Sequence, residues 1–352
     1  MMRWLLLLFV PAAILAEHLG LGPVWVFAFA ALAILPLAGL MGEATEALAA
    51  RAGSTVGGLL NATFGNAAEL ILAGMVLLAG KIEVVKASIT GSILVNLLFA
   101  LGIATLAGGL RYHEQRFNRE SAGVLASLLT LTLIALTLPS LFDLAERSYY
   151  SADPRLPDVR YSLAVAAVLL LAYAANLWFS LVTHRDLIAG KGGEAGHAPR
   201  WSVPQSVALL LAATLGVAWM AELLAGNLET ATHHLGISEF FVGVILIPLI
   251  GNAAEYLAAL RFAVRNKMDL AVQVAVGSSL QIALVVAPVL VFLSRLLSRP
   301  MDLVFQNPLE LAALAATVLI ANSVLRDGKS NWFEGVLLLA VYALLAFAFF
   351  FV

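Results

Sequence analysis

Long apolar runs separated by short polar breaks dominate the chain. Eleven can be placed, at residues 4–16, 23–40, 56–79, 87–110, 122–141, 161–182, 205–224, 240–261, 270–296, 308–325 and 332–352. A helix crossing about 30 Å of hydrocarbon needs about 20 mostly apolar residues. The pattern therefore predicts an all-α polytopic membrane protein with about eleven transmembrane helices. Barrel strands would alternate apolar and polar positions over ~10 residues, whereas these runs are continuously apolar. The first run is short and follows Arg3, as in a secretory leader, but the stretch before Glu17 is a poor small-x-small cleavage site, so an uncleaved helix is expected.

The pattern repeats. A shift of 186 residues places the GNAAE of Gly65–Glu69 on that of Gly251–Glu255, and residues 65–94 match 251–280 at 10 of 30 positions. Lys81 falls on Lys267, Gly91-Ser92 on Gly277-Ser278, and Glu83 on Asp269. Shared Leu and Ala richness does not produce matched glycines, asparagines and acids. Each unit holds five helices, an odd number, so the second enters the membrane upside down, the inverted-repeat architecture of transporters. The expected organisation is an N-terminal helix (1–22), a first repeat (23–182), a linker (183–204, with a glycine-rich stretch at 190–196) and a second repeat (205–352). Thirteen Lys and Arg fall on the N-terminal side of the membrane and seven opposite. The N-terminus and linker are thus expected in the cytoplasm and the C-terminus outside, in a prokaryotic plasma (inner) membrane.

Composition narrows the function. With 62% hydrophobic and 12% charged residues and a mean hydropathy of +0.96, against about 25% charged in soluble domains, a water-soluble globule is excluded. The net charge of −2 gives no electrostatic support for a nucleic-acid partner. With no cysteine, disulfides, thiol catalysis and thiolate metal sites are absent. His18, His113, His184, His197, His233 and His234 fall near helix ends or in loops, which disfavours a soft-metal site in the membrane.

Glu69 and Glu255 carry the candidate chemistry. Each lies near the middle of its run, where an acid costs ~2.5–3.5 kcal/mol or more and calls for a function. Asn66 and Asn252 precede them by three residues, on the same helix face. Gly65 and Gly251 weaken the preceding turn, and Pro248 removes a backbone donor, so carbonyls can turn toward a cavity. The next helices add Ser88, Ser92 and Asn96 at spacing four, with Ser278 and Gln281 in the second half. These are expected either to support the site or to bond helix to helix. Glu83 and Asp269, each 14 residues beyond its motif glutamate, are expected as mouth acids on opposite faces or as partners of nearby lysines. Glu43 and Glu46 are either attractors for cations or a solvated helix end.

Carboxylate, amide, hydroxyl and backbone oxygens together suit a hard cation such as Ca2+, which takes 6–8 oxygens. Desolvation penalises an ionised carboxyl group, and a second carboxylate adds to the penalty. Cation and protons then compete for the same oxygens, which is the core of an antiport mechanism. The chain carries no cofactor motif; the expected ligands are transported Ca2+ and H+, and the lipid bilayer is its surroundings.

With GLLNATFGNAAELI in the first half and GVILIPLIGNAAEYLAA in the second, the chain resembles the CAX-type calcium/proton antiporters of the calcium/cation antiporter superfamily. The resemblance extends through KASITGSILVNLL, NKMDLAVQVAVGSSLQIALVVAPVL and SNWFEG. It implies that Glu69 and Glu255 bind the cation, that Gly65, Asn66, Gly251 and Asn252 shape the site, and that calcium leaves the cytoplasm in exchange for protons. Two departures stand out. Tyr256 occupies the place where relatives usually have histidine, and the linker has only Asp186 and Glu194 as acids, so an acidic regulatory loop is not implied. The alternatives are a sodium-coupled or monovalent-cation exchanger on the same fold, or a cation channel. An intramembrane enzyme finds no HExxH, GxSG or cysteine support.

Overall fold

The computed structural model describes residues 5–149, 155–184 and 201–352. Arg3, His197, Asp186, Glu194 and the 190–196 stretch of the linker lie outside the described residues. Twelve helices are labelled here: α1 (Phe9–His18), α2 (Pro23–Phe64), α3 (Ala67–Leu78), α4 (Ile82–Arg111), α5 (Arg119–Tyr149), α6 (Arg155–Trp178), α7 (Val203–Leu235), α8 (Glu239–Gly251), α9 (Ala253–Ala263), α10 (Met268–Leu296), α11 (Pro308–Leu325) and α12 (Trp332–Phe350). Among the described residues, eight helices are long and apolar enough to cross a membrane. The pair α8 and α9, bent by 55°, makes a ninth span if counted as one, and α1 and α3 are shorter apolar helices.

The polar breaks are shorter than the apolar pattern predicts. The second and third runs merge into α2, which continues through Glu43, Glu46 and Arg51. That segment is rich in Ala, Glu and Leu, strong helix formers that extend the helix beyond its apolar part. The bend falls at Gly53 instead (φ 81°, ψ 168°), a conformation that favours glycine. The third run is itself divided at Gly65–Asn66, and the eighth at Asn252. Helices α5 and α7 likewise outrun their predicted ends at 141 and 224. One small feature departs from an all-helical chain: β1 (Gln115–Arg116) pairs antiparallel with β2 (Lys329–Ser330).

Helices α4 and α10 form the centre. Each is interrupted by a wide π-type turn, at Val95–Ala100 and Ile282–Val286, and both are mostly buried. The long helices α2 and α7 pack on one another, and α12 lies along α4.

Two polar clasps mark the membrane faces. On one, Lys81 bonds to Glu229 of α7 and Glu239 of α8, which together hold its ammonium above the usual lysine range, Glu229 foremost. The α10–α11 loop tucks inward there, with Met301, Leu303 and Phe305 buried. Its backbone N–H groups donate to the hydroxyls of Ser294, Ser162 and Ser140, which satisfies groups that burial would otherwise strand. On the other face, β1 and the loop before it cap the end of α9: Gln115 donates to the Ala263 carbonyl at 2.8 Å and Tyr112 to that of Val264 at 3.3 Å.

Candidate functional site

Both motif glutamates sit one turn after a helix break. Asn66 (φ −112°, ψ 31°) and Asn252 (φ −88°, ψ 22°) leave the helical region, and α3 and α9 restart immediately after them with Glu69 and Glu255 in the first turn. Glycine is needed at the first break, because a Cβ on Gly65 would lie 2.6 Å from the Asn61 carbonyl oxygen and 3.1 Å from Gln281 Oε1. At the second, a Cβ on Gly251 would lie 3.5 Å from Glu69 Cγ, so α8 brings bare backbone up to the glutamate of the other half.

The halves interlock through the two asparagines. Asn66 donates to Gln281 Oε1 on α10 at 2.6 Å. In the reciprocal arrangement, Asn252 accepts from Asn96 on α4 at 2.7 Å, and donates to Ser92 Oγ at 3.1 Å and to the Pro248 carbonyl at 2.9 Å. Each motif asparagine is thus fixed by the long central helix of the opposite half. Ser88 instead donates to the Val85 carbonyl of its own helix, while lining the cavity with Ser92.

Three spaces follow in series. A cavity of about 370 Å³ between α2, α9 and α10 is lined by Thr45, Glu46, Asn61, Glu255, Gln273, Ser278 and Gln281, among others. A second, of about 20 Å³, holds both Glu69 and Glu255 with Met41, Gly65 and Gly251 in its wall. A third, also about 20 Å³, lies beyond Glu69 against Ser88, Ile89 and Ser92. The small spaces suit one water-sized occupant each. The series stops where α4 meets α8: a Cβ on Gly91 would lie 2.0 Å from the Val244 carbonyl oxygen, and one on Gly243 would lie 2.9 Å from Ala87 Cβ. At Gly277, the counterpart of Gly91, nothing lies within 4 Å. The site is open toward the face that bears Lys267 and shut toward the face that bears Lys81.

Glu69 is 7% exposed and Glu255 9%. Both carboxyl oxygens of Glu69, Oε2 of Glu255 and Oδ1 of Asn66 are buried without a hydrogen-bond donor from the protein. Stranding such oxygens is costly unless a cation or proton meets them. No cluster of three His, Cys, Asp or Glu side chains able to hold a metal exists among the described residues. The arrangement pairs two carboxylates with neutral amide and hydroxyl oxygens.

The sequence-predicted residues divide accordingly. Glu69, Glu255, Asn66, Asn252, Gly65, Gly251, Ser92, Asn96, Ser278 and Gln281 converge. Glu83 and Asp269 line none of these spaces: Glu83 pairs with Lys86 at 3.2 Å, and Asp269 accepts the backbone N–H of Asn118. Of the acids on α2, Glu46 lines the large cavity. Tyr256 packs edge-on against Phe99, ring centroids 5.5 Å apart, and Phe99 in turn meets Tyr342. Thr45, Asn61 and Gln273 were not anticipated; the spacing of Thr45 and Glu46 from Gly42, at i+3 and i+4, is the signal that could have shown them on one face.

The family described as sodium/calcium exchanger protein matches residues 22–182 and 205–351. The chain is 50% identical over 360 residues to a protein of Aphanothece halophytica named Ca(2+)/H(+) antiporter, covering 98% of this chain and 95% of that one. It is 40% identical over 345 residues to the Ca(2+)/H(+) antiporter ChaA of Bacillus subtilis, covering 97% and 96%. Among solved structures, that of native YfkE aligns with a TM-score of 0.86 at 36% identity, covering 99% of this chain and all of the other. The H+/Ca2+ exchanger CAX shares the fold at a TM-score of 0.74 and 17% identity, covering 99% and 91%.

Proposed function

The chain belongs to the sodium/calcium exchanger protein family as a CAX-type Ca2+/H+ antiporter, and we propose that it carries Ca2+ out of the cytoplasm in exchange for external H+ by alternating access at Glu69 and Glu255. It is a transporter and not an enzyme, and its ligands are the transported ions. The observation that carries the site assignment is the set of three buried, donorless carboxyl oxygens of Glu69 and Glu255 around one small cavity. With Ca2+ bound, both carboxylates are ionised; without it, each oxygen pair accepts a proton, so the site never crosses the membrane as a bare double charge. Asn66 and Asn252 shape the site with Gly65 and Gly251, and Ser92, Asn96, Ser278 and Gln281 hold the asparagines or line the approach.

The count of thirteen Lys and Arg against seven supports a cytoplasmic N-terminus and an external C-terminus, and the bacterial relatives support residence in a prokaryotic plasma membrane. In that orientation the open cavity faces the cytoplasm, with Glu46 in its wall to attract cations, and the Lys81 face is external. Counting α1, the part of α2 before Gly53, the part after it together with α3, and the bent pair α8/α9 as crossings supports eleven spans. The matching breaks before Glu69 and Glu255 support two inverted repeats, at 23–182 and 205–352. Purified protein in proteoliposomes tests the coupling ion. Calcium uptake should follow an imposed proton gradient and ignore an imposed sodium gradient; uptake driven by sodium alone contradicts the proposal.

A further inference from the structure

Lys81 ties together three segments of the shut face. It sits in the turn between α3 and α4, and its ammonium meets Glu229 of α7 at 2.5 Å and Glu239 of α8 at 2.9 Å. The Glu229 side chain is 74% exposed and that of Lys81 24%, so water and salt screen the pair and it adds little to the stability of the whole fold. A weak tie of this kind suits a contact that must form and break in every transport cycle.

The open face carries the same parts. Lys267, the counterpart of Lys81 at a shift of 186 residues, sits in a turn of the same backbone shape. Gly80 (φ 83°) and Asn266 (φ 57°) are both left-handed. Lys81 (φ −88°, ψ 62°) and Lys267 (φ −109°, ψ 58°) follow them, and their N–H groups bond back to the Val76 and Phe262 carbonyls. A positive φ outside glycine is uncommon, so the two turns are equivalent structures and not only aligned letters. The same shift places Glu229 on Glu43 of α2, Val242-Gly243 on Val56-Gly57, and Glu239 on Gly53, where α2 bends. The large cavity lies between these parts. Gly42, Thr45 and Glu46 form its α2 wall, next to Glu43, and Leu270 and Gln273 form its α10 wall, just after Lys267.

We propose that Lys81 and Lys267 are alternating positioning residues for exchange. Lys81 holds its face shut through Glu229 and Glu239 while the cavity is open, and Lys267 holds the cavity face shut through Glu43 once Lys81 has let go. Neither lysine touches the transported ion; each sets which face is open. The two clasps are unequal, because Gly53 offers no carboxylate where Glu239 offers one. With two anions on Lys81 and one on Lys267, the protein at rest favours the state whose cavity is open. A face that is open in only a fraction of the molecules binds its ion with an affinity reduced by that fraction, so the clasps are read as opposite shifts of KM on the two faces. The inference rests on the exchange reading above.

Two measurements test it. In proteoliposomes of known sidedness, K81M should raise the KM for Ca2+ on the cavity side and lower it on the Lys81 side, each about two-fold or more, while K267M should move both the other way. K81R, which keeps the charge, should restore the wild-type ratio of the two KM values; if K81M fails to fold, E229Q takes its place with the same expected direction. Shifts of the same sign in K81M and K267M, or none in either, would overturn the proposal. The second measurement uses a chain that has no cysteine of its own. In E43C/K267C, a short bifunctional thiol reagent should join the two positions slowly, and several-fold faster when E239Q is added to weaken the Lys81 clasp. The joined protein should no longer exchange. A joining rate that ignores E239Q, or undiminished exchange after joining, would contradict the alternating clasps. Failure of the exchange reading looks different, since wild type would then show no calcium-for-proton exchange while joining still responded to E239Q.

Discussion

Asn96 of α4 donates its amide to Oδ1 of Asn252 at 2.7 Å, so the asparagine of the second motif is held by the central helix of the first half. Replacing Asn96 with leucine strands that buried oxygen, and the expected cost is about 1–3 kcal/mol. Thermal unfolding in detergent should show a lower transition temperature for N96L. Calcium uptake should show a raised KM, because Asn252 loses the bond that aims it. An unchanged KM would mean that the asparagine pair is a packing contact alone.

Gly91 and Gly277 occupy corresponding places in the two halves, yet only Gly91 is pressed against a backbone carbonyl. G91A should therefore destabilise the protein by about 1–3 kcal/mol or more, the range for overpacking, while G277A should leave stability unchanged within about 0.5 kcal/mol. If transport alternates by closing α10 at Gly277 as α4 is closed at Gly91, G277A should slow exchange at least several-fold. Wild-type turnover in G277A would contradict that mode of closure.

Competition between protons and calcium fixes a sign. Calcium binds the ionised carboxylates, so the apparent KM for Ca2+ should rise as the pH on the cavity side falls, while the maximal rate changes less. Initial uptake rates over a calcium series at pH 6, 7 and 8 check this. A KM that falls on acidification would separate the proton site from the cation site.

Tyr256 is packed against Phe99 rather than turned into the cavity, which favours a structural role over proton handling. Y256F should reproduce the wild-type pH profile of calcium-driven proton flux. In Y256H an inflection between roughly pH 6 and 7, where an unperturbed imidazole titrates, would show that the position reaches the pathway.

The parts of the fold legible in the sequence are those that duplication and continuous apolarity encode. GNAAE appears twice, so Glu69, Glu255 and their asparagines were identifiable before any contact was known. What apolarity does not encode is where a helix ends when its polar part is itself helix-forming, as at Glu43–Arg51 of α2, or where two-residue strands such as Gln115–Arg116 pair. Gly91 reads as one more small residue until the Val244 carbonyl is placed against it. The burial of Lys86 depends on the inward fold of the α10–α11 loop, whose Asp302 and Val304 carbonyl meet its ammonium, a contact that no local pattern encodes. Glu83 and Asp269 share an alignment but not an environment: one pairs with a lysine, the other accepts a backbone N–H. Duplicated sequence does not oblige the two halves to use every matched acid alike when they are caught in different closures.

The central claim is that Glu69 and Glu255 together hold calcium and protons in turn, and the most direct measurement is calcium-driven proton flux in proteoliposomes containing wild type, E69Q or E255Q, with folding checked by gel filtration. Wild type should exchange, and each glutamine variant should fall at least 100-fold while remaining folded, since an amide neither ionises for calcium nor releases a proton. Exchange at the wild-type rate by either folded variant would contradict the shared site.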